Sequence, residues 1–194
     1  MTPGIYLVKV DSPIDENTFQ YMLKFVQSEK QERILKQKIK QNADNMLVSE
    51  ILAKVVIKKI FGIDIAKQEF NYTEYGKPYL PDYPDVHFNI SHSGEYVACA
   101  VSDKPIGIDI QKISEYNSDV AKRVCNGNEL AQIEKSSDKA YEFTKLWTQK
   151  EAVLKMYGTG IASGDIKHCL ENQKIKSKKI DDCWLSETIS IDRK

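Results

Sequence analysis

Apolar residues divide the chain into strand-like and helix-like runs before any chemistry is considered. Residues Ile5 to Val10 alternate in a strand-like way and end at Asp11-Ser12-Pro13, which predicts a strand and then a helix start, with Ser12 as cap and Pro13 in the first turn. Phe19, Met22, Leu23 and Val26 form one helical face. Ser28-Glu29-Lys30-Gln31 has capping-box spacing, and a second helix carries Ile34, Leu35 and Ile39 on one face, with Lys30, Arg33, Lys36, Lys38 and Lys40 on the other. A third helix is predicted from about Ala43 to Phe61, with Leu47, Ile51, Leu52, Val55 and Ile60 inward and Gly62 as the stop.

From Glu69 the pattern turns to strands. Gly76 and Pro78 make a turn that presents Lys77, and strands at 86–91, 96–101 and 106–111 follow at hairpin-like spacing. The cycle then restarts, with helices near Asp119 to Val124, Gly127 to Glu134 and Asp138 to Tyr157, and strands over Lys174 to Ile180 and Cys183 to Ile191. The pattern predicts an α+β protein of two halves. No low-complexity linker separates them, so they should pack closely, with a site at the seam.

Composition narrows the classes. With 41% hydrophobic and 29% charged residues, the 194-residue chain is an ordered globular protein that buries a real core. Twenty-eight basic residues balance twenty-eight acidic ones, so no global field points to nucleic acid or a membrane surface. Cys99, Cys125, Cys169 and Cys183 lie far apart without a Cys-x-x-Cys pair, which disfavours zinc and redox chemistry and suits reduced thiols in the cytoplasm. Neither a signal-like N-terminus nor a run of the ~20 apolar residues of a membrane span is present.

Two clusters stand out against this frame. Ser91, His92 and Ser93 interrupt β-prone residues, and Asp109 sits inside Ile106-Gly107-Ile108-Asp109-Ile110, where a buried carboxylate needs a cationic partner. On the last long helix, Trp147, Glu151 and Lys155 share one face. Taken singly, these are turn residues, a loop cap and a surface Glu-Lys pair worth roughly 0.3–0.5 kcal/mol. Together, Asp109 and Glu151 are two hard oxygen ligands suited to Mg²⁺, and Lys155, Lys77, His92 and the hydroxyls of Ser91 or Ser93 are donors for a pyrophosphate. A Ser93-His92-Asp109 hydrolase is disfavoured, because adjacent strand residues point to opposite faces and Gly-x-Ser-x-Gly is absent. A phosphate-binding loop of the Gly-x-x-x-x-Gly-Lys-Ser/Thr type is also missing.

Gly76-Lys77-Pro78, Phe88-Asn89-Ile90-Ser91-His92-Ser93, Gly107-Ile108-Asp109-Ile110 and Trp147-Thr148-x-Lys150-Glu151-Ala152-x-x-Lys155 occur in one order. This set resembles the signature of the surfactin-type 4'-phosphopantetheinyl transferases, from Ile5 to about Gly164. The resemblance implies an intramolecular pseudo-dimer of two similar α+β halves, 1–104 and 105–194, with the active site at their interface. It implies a cytoplasmic, monomeric enzyme that moves phosphopantetheine from coenzyme A to a serine of an acyl or peptidyl carrier protein with Mg²⁺. Asp109, Glu151 and Gln111 would face the metal, Glu151 would take the serine proton, and Lys155 would meet the leaving phosphate. Lys77, Ser91, His92 and Lys155 would bind coenzyme A, with Lys30 and Arg33 on its 3'-phosphate. Three departures mark this chain. Gln111 replaces a common Glu, Asn45 lies near where an Arg is usual, and the sequence ends at Lys194 where many relatives add a strand, which implies a smaller second sheet or a longer parent chain. These departures motivate the rival reading, a catalytically weak module that binds coenzyme A or a carrier.

Overall fold

The structure, a computed structural model, describes residues 3–160 and 166–191; Gly164, where the resemblance was expected to end, lies outside them. β1 (Gly4–Lys9) leads into α1 (Glu16–Leu23), α2 (Ser28–Leu35) and the long α3 (Lys40–Phe61). A small hairpin, β2 (Asn71–Tyr72) with β3 (Pro78–Tyr79), precedes β4 (His87–Ser93) and β5 (Tyr96–Ser102). The second half repeats that order without the small hairpin, as β6 (Ile106–Lys112), α4 (Ser118–Val124), α5 (Gly127–Lys135), α6 (Lys139–Tyr157), β7 (Ile175–Ile180) and β8 (Cys183–Ile189). Each half closes an antiparallel sheet with its first strand beside its last, β1-β5-β4 and β6-β8-β7. The class is α+β, as the periodicity predicts.

β5 is buried along its whole length because both of its faces are covered. Cys99 and Val101 join Phe88, Val56 and Ile57 of the α3 side in one core. Tyr96, Ala98 and Ala100 meet Ile106, Ile108 and Ile110 in another, where two alanines let the sheets approach closely. α6 covers the outer face of the second sheet, with Thr148 Oγ1 bonded to Ser186 Oγ at 2.8 Å and Gln149 Nε2 donating to Ser177 Oγ at 3.0 Å. Lys150 is fully buried, and its Nζ donates to Glu129 Oε1 at 2.8 Å and to the Ile166 carbonyl at 2.9 Å, tying α6 to α5.

Several local expectations are corrected. β6 does not continue a hairpin with β5; it pairs with β8 from Ile106↔Ile189 to Lys112↔Cys183. Asp15, not Ser12, caps α1, its carboxylate accepting the Thr18 N–H at 3.0 Å. No capping box forms at Ser28, because α2 starts there after Gln27, and Gln31 instead donates to the carbonyls of Leu23 and Val26. α2 stops at Leu35, so Leu35 and Ile39 are exposed. α3 begins at Lys40 and turns Ala53, Val56 and Ile57 inward, leaving Val55 exposed. Cys99, Cys125 and Cys183 are buried free thiols. Among the described residues no helix is long and apolar enough to cross a membrane.

Candidate active site

β4 and β6 run side by side without a backbone ladder, and side chains stitch the seam. The N–H groups of Ile108, Ile110 and Lys112 donate to Asn89 Oδ1 at 3.0 Å, Ser91 Oγ at 3.2 Å and Ser93 Oγ at 3.0 Å. The period of two on each strand sends these acceptors to one side. The edge of β6 that has no backbone ladder is thereby satisfied by residues that belong to the first half. Asn89 is not among the expected residues, and Ser93, expected as an alternative phosphate donor to Ser91, instead accepts the Lys112 N–H and does not line the cavity below. Their signal is the alternation Asn89, Ser91, Ser93 along β4.

Gly107 sets the depth of the site. A Cβ there would lie 1.9 Å from the Ala152 carbonyl oxygen and 2.7 Å from the Met156 nitrogen, so only glycine lets α6 lie against β6. That contact brings the Trp147, Glu151 and Lys155 stripe over Asp109. One cavity of about 380 Å³ is lined by Ser91, His92, Asp109, Gln111, Glu151 and Lys155, with Trp147 in its wall. The structure therefore gathers six of the nine expected residues.

Asp109 is buried, and its Oδ1 accepts from Ser91 Oγ at 2.7 Å and Lys155 Nζ at 2.6 Å. Lys155 also donates to Ser91 Oγ at 3.0 Å. The surface-type Glu151-Lys155 pair is thus replaced by a pair across the seam. Asp109 Oδ2 and Glu151 Oε1 are buried with no hydrogen-bond partner. Burial and the neighbouring Asp109 hold the Glu151 carboxyl above its ordinary range, against a smaller opposite effect of Lys155. Burial, then Lys155 and Lys30, hold His92 below its usual value, so it is a neutral imidazole at pH 7. Two unpartnered carboxylate oxygens from residues that line one cavity fit a cation, which would remove both the repulsion and the missing bonds. Among the described residues no three His, Cys, Asp or Glu side chains converge on a metal position. The donor set therefore suits an ion that keeps water or substrate oxygens in its shell.

The other three expected residues sit elsewhere. Lys77, on the turn between β2 and β3, donates from Nζ to the Met156 carbonyl at 2.6 Å. It caps the last turn of α6 next to Gly158, whose φ of 70° ends the helix, and burial holds its amine below the ordinary value. Lys30 and Arg33 line a separate cavity of about 350 Å³ with Gln27, Phe70, Tyr72 and Tyr79. Asn45 is buried, and its Nδ2 donates to the Gly94 carbonyl at 2.8 Å, which holds the turn between β4 and β5. Glu50 of α3 escaped notice, although it is a carboxylate at core spacing after Leu47. It is buried and pairs with Lys30 at 3.0 Å.

Comparison with known proteins bears on this arrangement. Residues 12–104 match the family described as "4'-phosphopantetheinyl transferase, N-terminal", and residues 105–190 match the "4'-phosphopantetheinyl transferase superfamily". A 4'-phosphopantetheinyl transferase of Bacillus subtilis is 39% identical over 160 residues, which span 81% of this chain and 71% of the relative. The 4'-phosphopantetheinyl transferase Sfp of Bacillus subtilis strain 168 is 36% identical over the same shares. The 4'-phosphopantetheinyl transferase gsp of Aneurinibacillus migulanus is 35% identical over 79% of this chain and 65% of its own length. With both halves matched, and the motif residues of β4, β6 and α6 facing one cavity, the chain belongs to the 4'-phosphopantetheinyl transferase superfamily.

Proposed function

We propose that the protein transfers the 4'-phosphopantetheine group of coenzyme A to a serine of an acyl or peptidyl carrier protein. It would work as a cytoplasmic monomer whose halves, 1–104 and 105–194, each supply one wall of the cleft. The observation that carries this reading is the pair of unpartnered buried oxygens on Asp109 and Glu151, set among Lys155, Ser91 and His92. Asp109 and Glu151 would hold Mg²⁺, with Gln111 as a neutral neighbour. When bound, the ion neutralises charge on the pyrophosphate.

Glu151, with its carboxyl above the ordinary range, takes the proton of the carrier serine. The serine oxygen bonds to the phosphorus that carries pantetheine, the P–O bond to the adenosine side breaks, and 3',5'-ADP leaves. Lys155 Nζ donates to the departing phosphate, and Ser91 and neutral His92 orient the pyrophosphate. Lys77 supports this machinery through the end of α6. Asn45 holds the turn at Gly94 and supplies no cation, so the 3'-phosphate is left to Lys30 and Arg33.

Incubation with coenzyme A, Mg²⁺ and an apo carrier protein should add one phosphopantetheine mass to the carrier. No gain on fatty-acid, polyketide or peptidyl carriers would sink the enzyme reading. Protons and the cation compete at Glu151. Its raised value means the folded state holds a proton that the unfolded chain releases, so this group's contribution to stability falls as pH rises from the ordinary carboxylate value through the raised one. A cation that takes only the ionised form compensates above that window. The rise in melting temperature on adding Mg²⁺ should therefore grow as pH rises from the ordinary carboxylate value through the raised one, reaching a few degrees at saturation. Glu151→Gln should flatten that dependence; an unchanged dependence would remove Glu151 from the cation site.

A further inference from the structure

The resemblance treats Lys30 and Arg33 alike, as two cations for one phosphate, but their surroundings differ. Lys30 Nζ lies 3.0 Å from Glu50 Oε1 and 5.4 Å from the centre of the Tyr72 ring. Tyr72 donates its hydroxyl to the same Glu50 oxygen at 3.3 Å. Burial and Glu50 push the Tyr72 phenol well above its ordinary value, so it remains a donor. Glu50 is only 4% exposed. Lys54 also faces it, but the Lys54 ammonium donates to the Gln68 carbonyl. Arg33 is exposed and makes no ion pair among the described residues. Lys30 and Glu50 together carry no net charge, so Arg33 is the cation left to an anion entering this cavity, whose lining also includes Glu29.

Stability alone does not account for Glu50. A buried ion pair is often replaceable by apolar side chains at no loss, and Glu50 stands at core spacing on α3, where an apolar residue would pack. What the carboxylate provides is geometry, because one oxygen fixes both an ammonium and a phenol that wall the cavity. Tyr72 and Tyr79 offer rings to a base, and Gln27 Oε1 holds the N–H of the buried Phe70 at 3.1 Å.

We propose that Glu50 is a positioning residue of the nucleotide cavity: it clamps Lys30 and Tyr72 into a fixed wall for the adenine end of coenzyme A and leaves Arg33 as the cation that meets the 3'-phosphate. This role rests on the coenzyme A reading above.

Titration calorimetry with coenzyme A and 3'-dephospho-coenzyme A, paired with steady-state transfer, tests it. Arg33→Ala should lose about tenfold in affinity for coenzyme A and little for the dephospho form, because only one phosphate contact is removed. Glu50→Gln and Lys30→Ala should weaken both ligands by a similar factor, about three- to tenfold, since they act through the wall. Glu50→Gln should raise KM for coenzyme A and leave kcat at saturation within about twofold. Tyr72→Phe keeps the ring and removes one hydrogen bond, so it should shift both affinities the same way by a smaller factor even if Glu50→Gln fails to fold. Wild-type binding by both Glu50→Gln and Tyr72→Phe would overturn the role. So would a loss confined to coenzyme A in Lys30→Ala, or a fall in kcat and melting temperature with KM unmoved in Glu50→Gln. If the wild type binds neither ligand, the coenzyme A reading itself fails.

Discussion

Asp109→Ala is expected to lower carrier modification by at least ~10³-fold while the protein stays folded. Asp109 Oδ1 is the acceptor that holds Lys155 and Ser91, and Oδ2 is half of the unpartnered oxygen pair. Alanine frees Lys155 to move and leaves Glu151 as the one carboxylate lining the cavity among the described residues. The fold tolerates the change because two effects oppose each other. Two bonds to the carboxylate are lost, about 1.5–3 kcal/mol for each hydrogen bond to a charged group, while the repulsion from Asp109, which adds to burial in raising the Glu151 carboxyl, is removed. Ser91 Oγ still accepts the Ile110 N–H, so the seam stays closed. Mass analysis of the carrier, with a thermal melt beside it, reads both halves of the prediction. Transfer within tenfold of wild type would take Asp109 out of the chemistry.

Gly107→Ala should have the largest effect on stability, a loss of at least ~4 kcal/mol, because the atoms in the way are backbone and cannot rotate aside. At this chain length each kcal/mol shifts the melting temperature by about 2–4 °C, so a drop beyond ~10 °C is expected. To accept the methyl group, α6 must lift off β6, which carries Glu151 and Lys155 away from Asp109. Transfer should therefore fall even where the variant remains folded. Gly127→Ala is the control, since nothing lies within 4 Å of a Cβ there. A Gly107→Ala protein that melts within about 3 °C of wild type would show that the two elements are not locked together in this way.

How much of this was readable beforehand depended on whether the cause was local. The second-half helices lie within a residue or so of the bounds the sequence predicts, and Asn117, Asn126 and Asp138 cap them with their own side chains. Near Ser12 and Ser28 the expected capping residues were present, but Asp15 and Gln27 took the starts. The common face of Trp147, Glu151 and Lys155 follows from helical spacing alone, and all three meet in the cavity. Which group Lys155 would pair with did not follow. An (i, i+4) partner was available in Glu151, yet Lys155 chose Asp109, which lies closer once Gly107 has drawn the helix onto the strand.

Lys30, Lys77 and Asn45 show the same limit. Their motif positions suggested or denied a phosphate, whereas their partners are Glu50, the end of α6 and the turn at Gly94. By itself, then, the sequence determined the element order, the α+β class, the polar face of α6 and the family resemblance, because periodicity, capping and motif spacing are properties of neighbouring residues. Only the tertiary structure decided that β6 pairs with β8, that side chains of β4 close its free edge, and that Asp109 and Glu151 share a seam. Those outcomes depend on distances between segments far apart in the chain, which are set by how closely two sheets and two helices pack and by no pattern within any one of them.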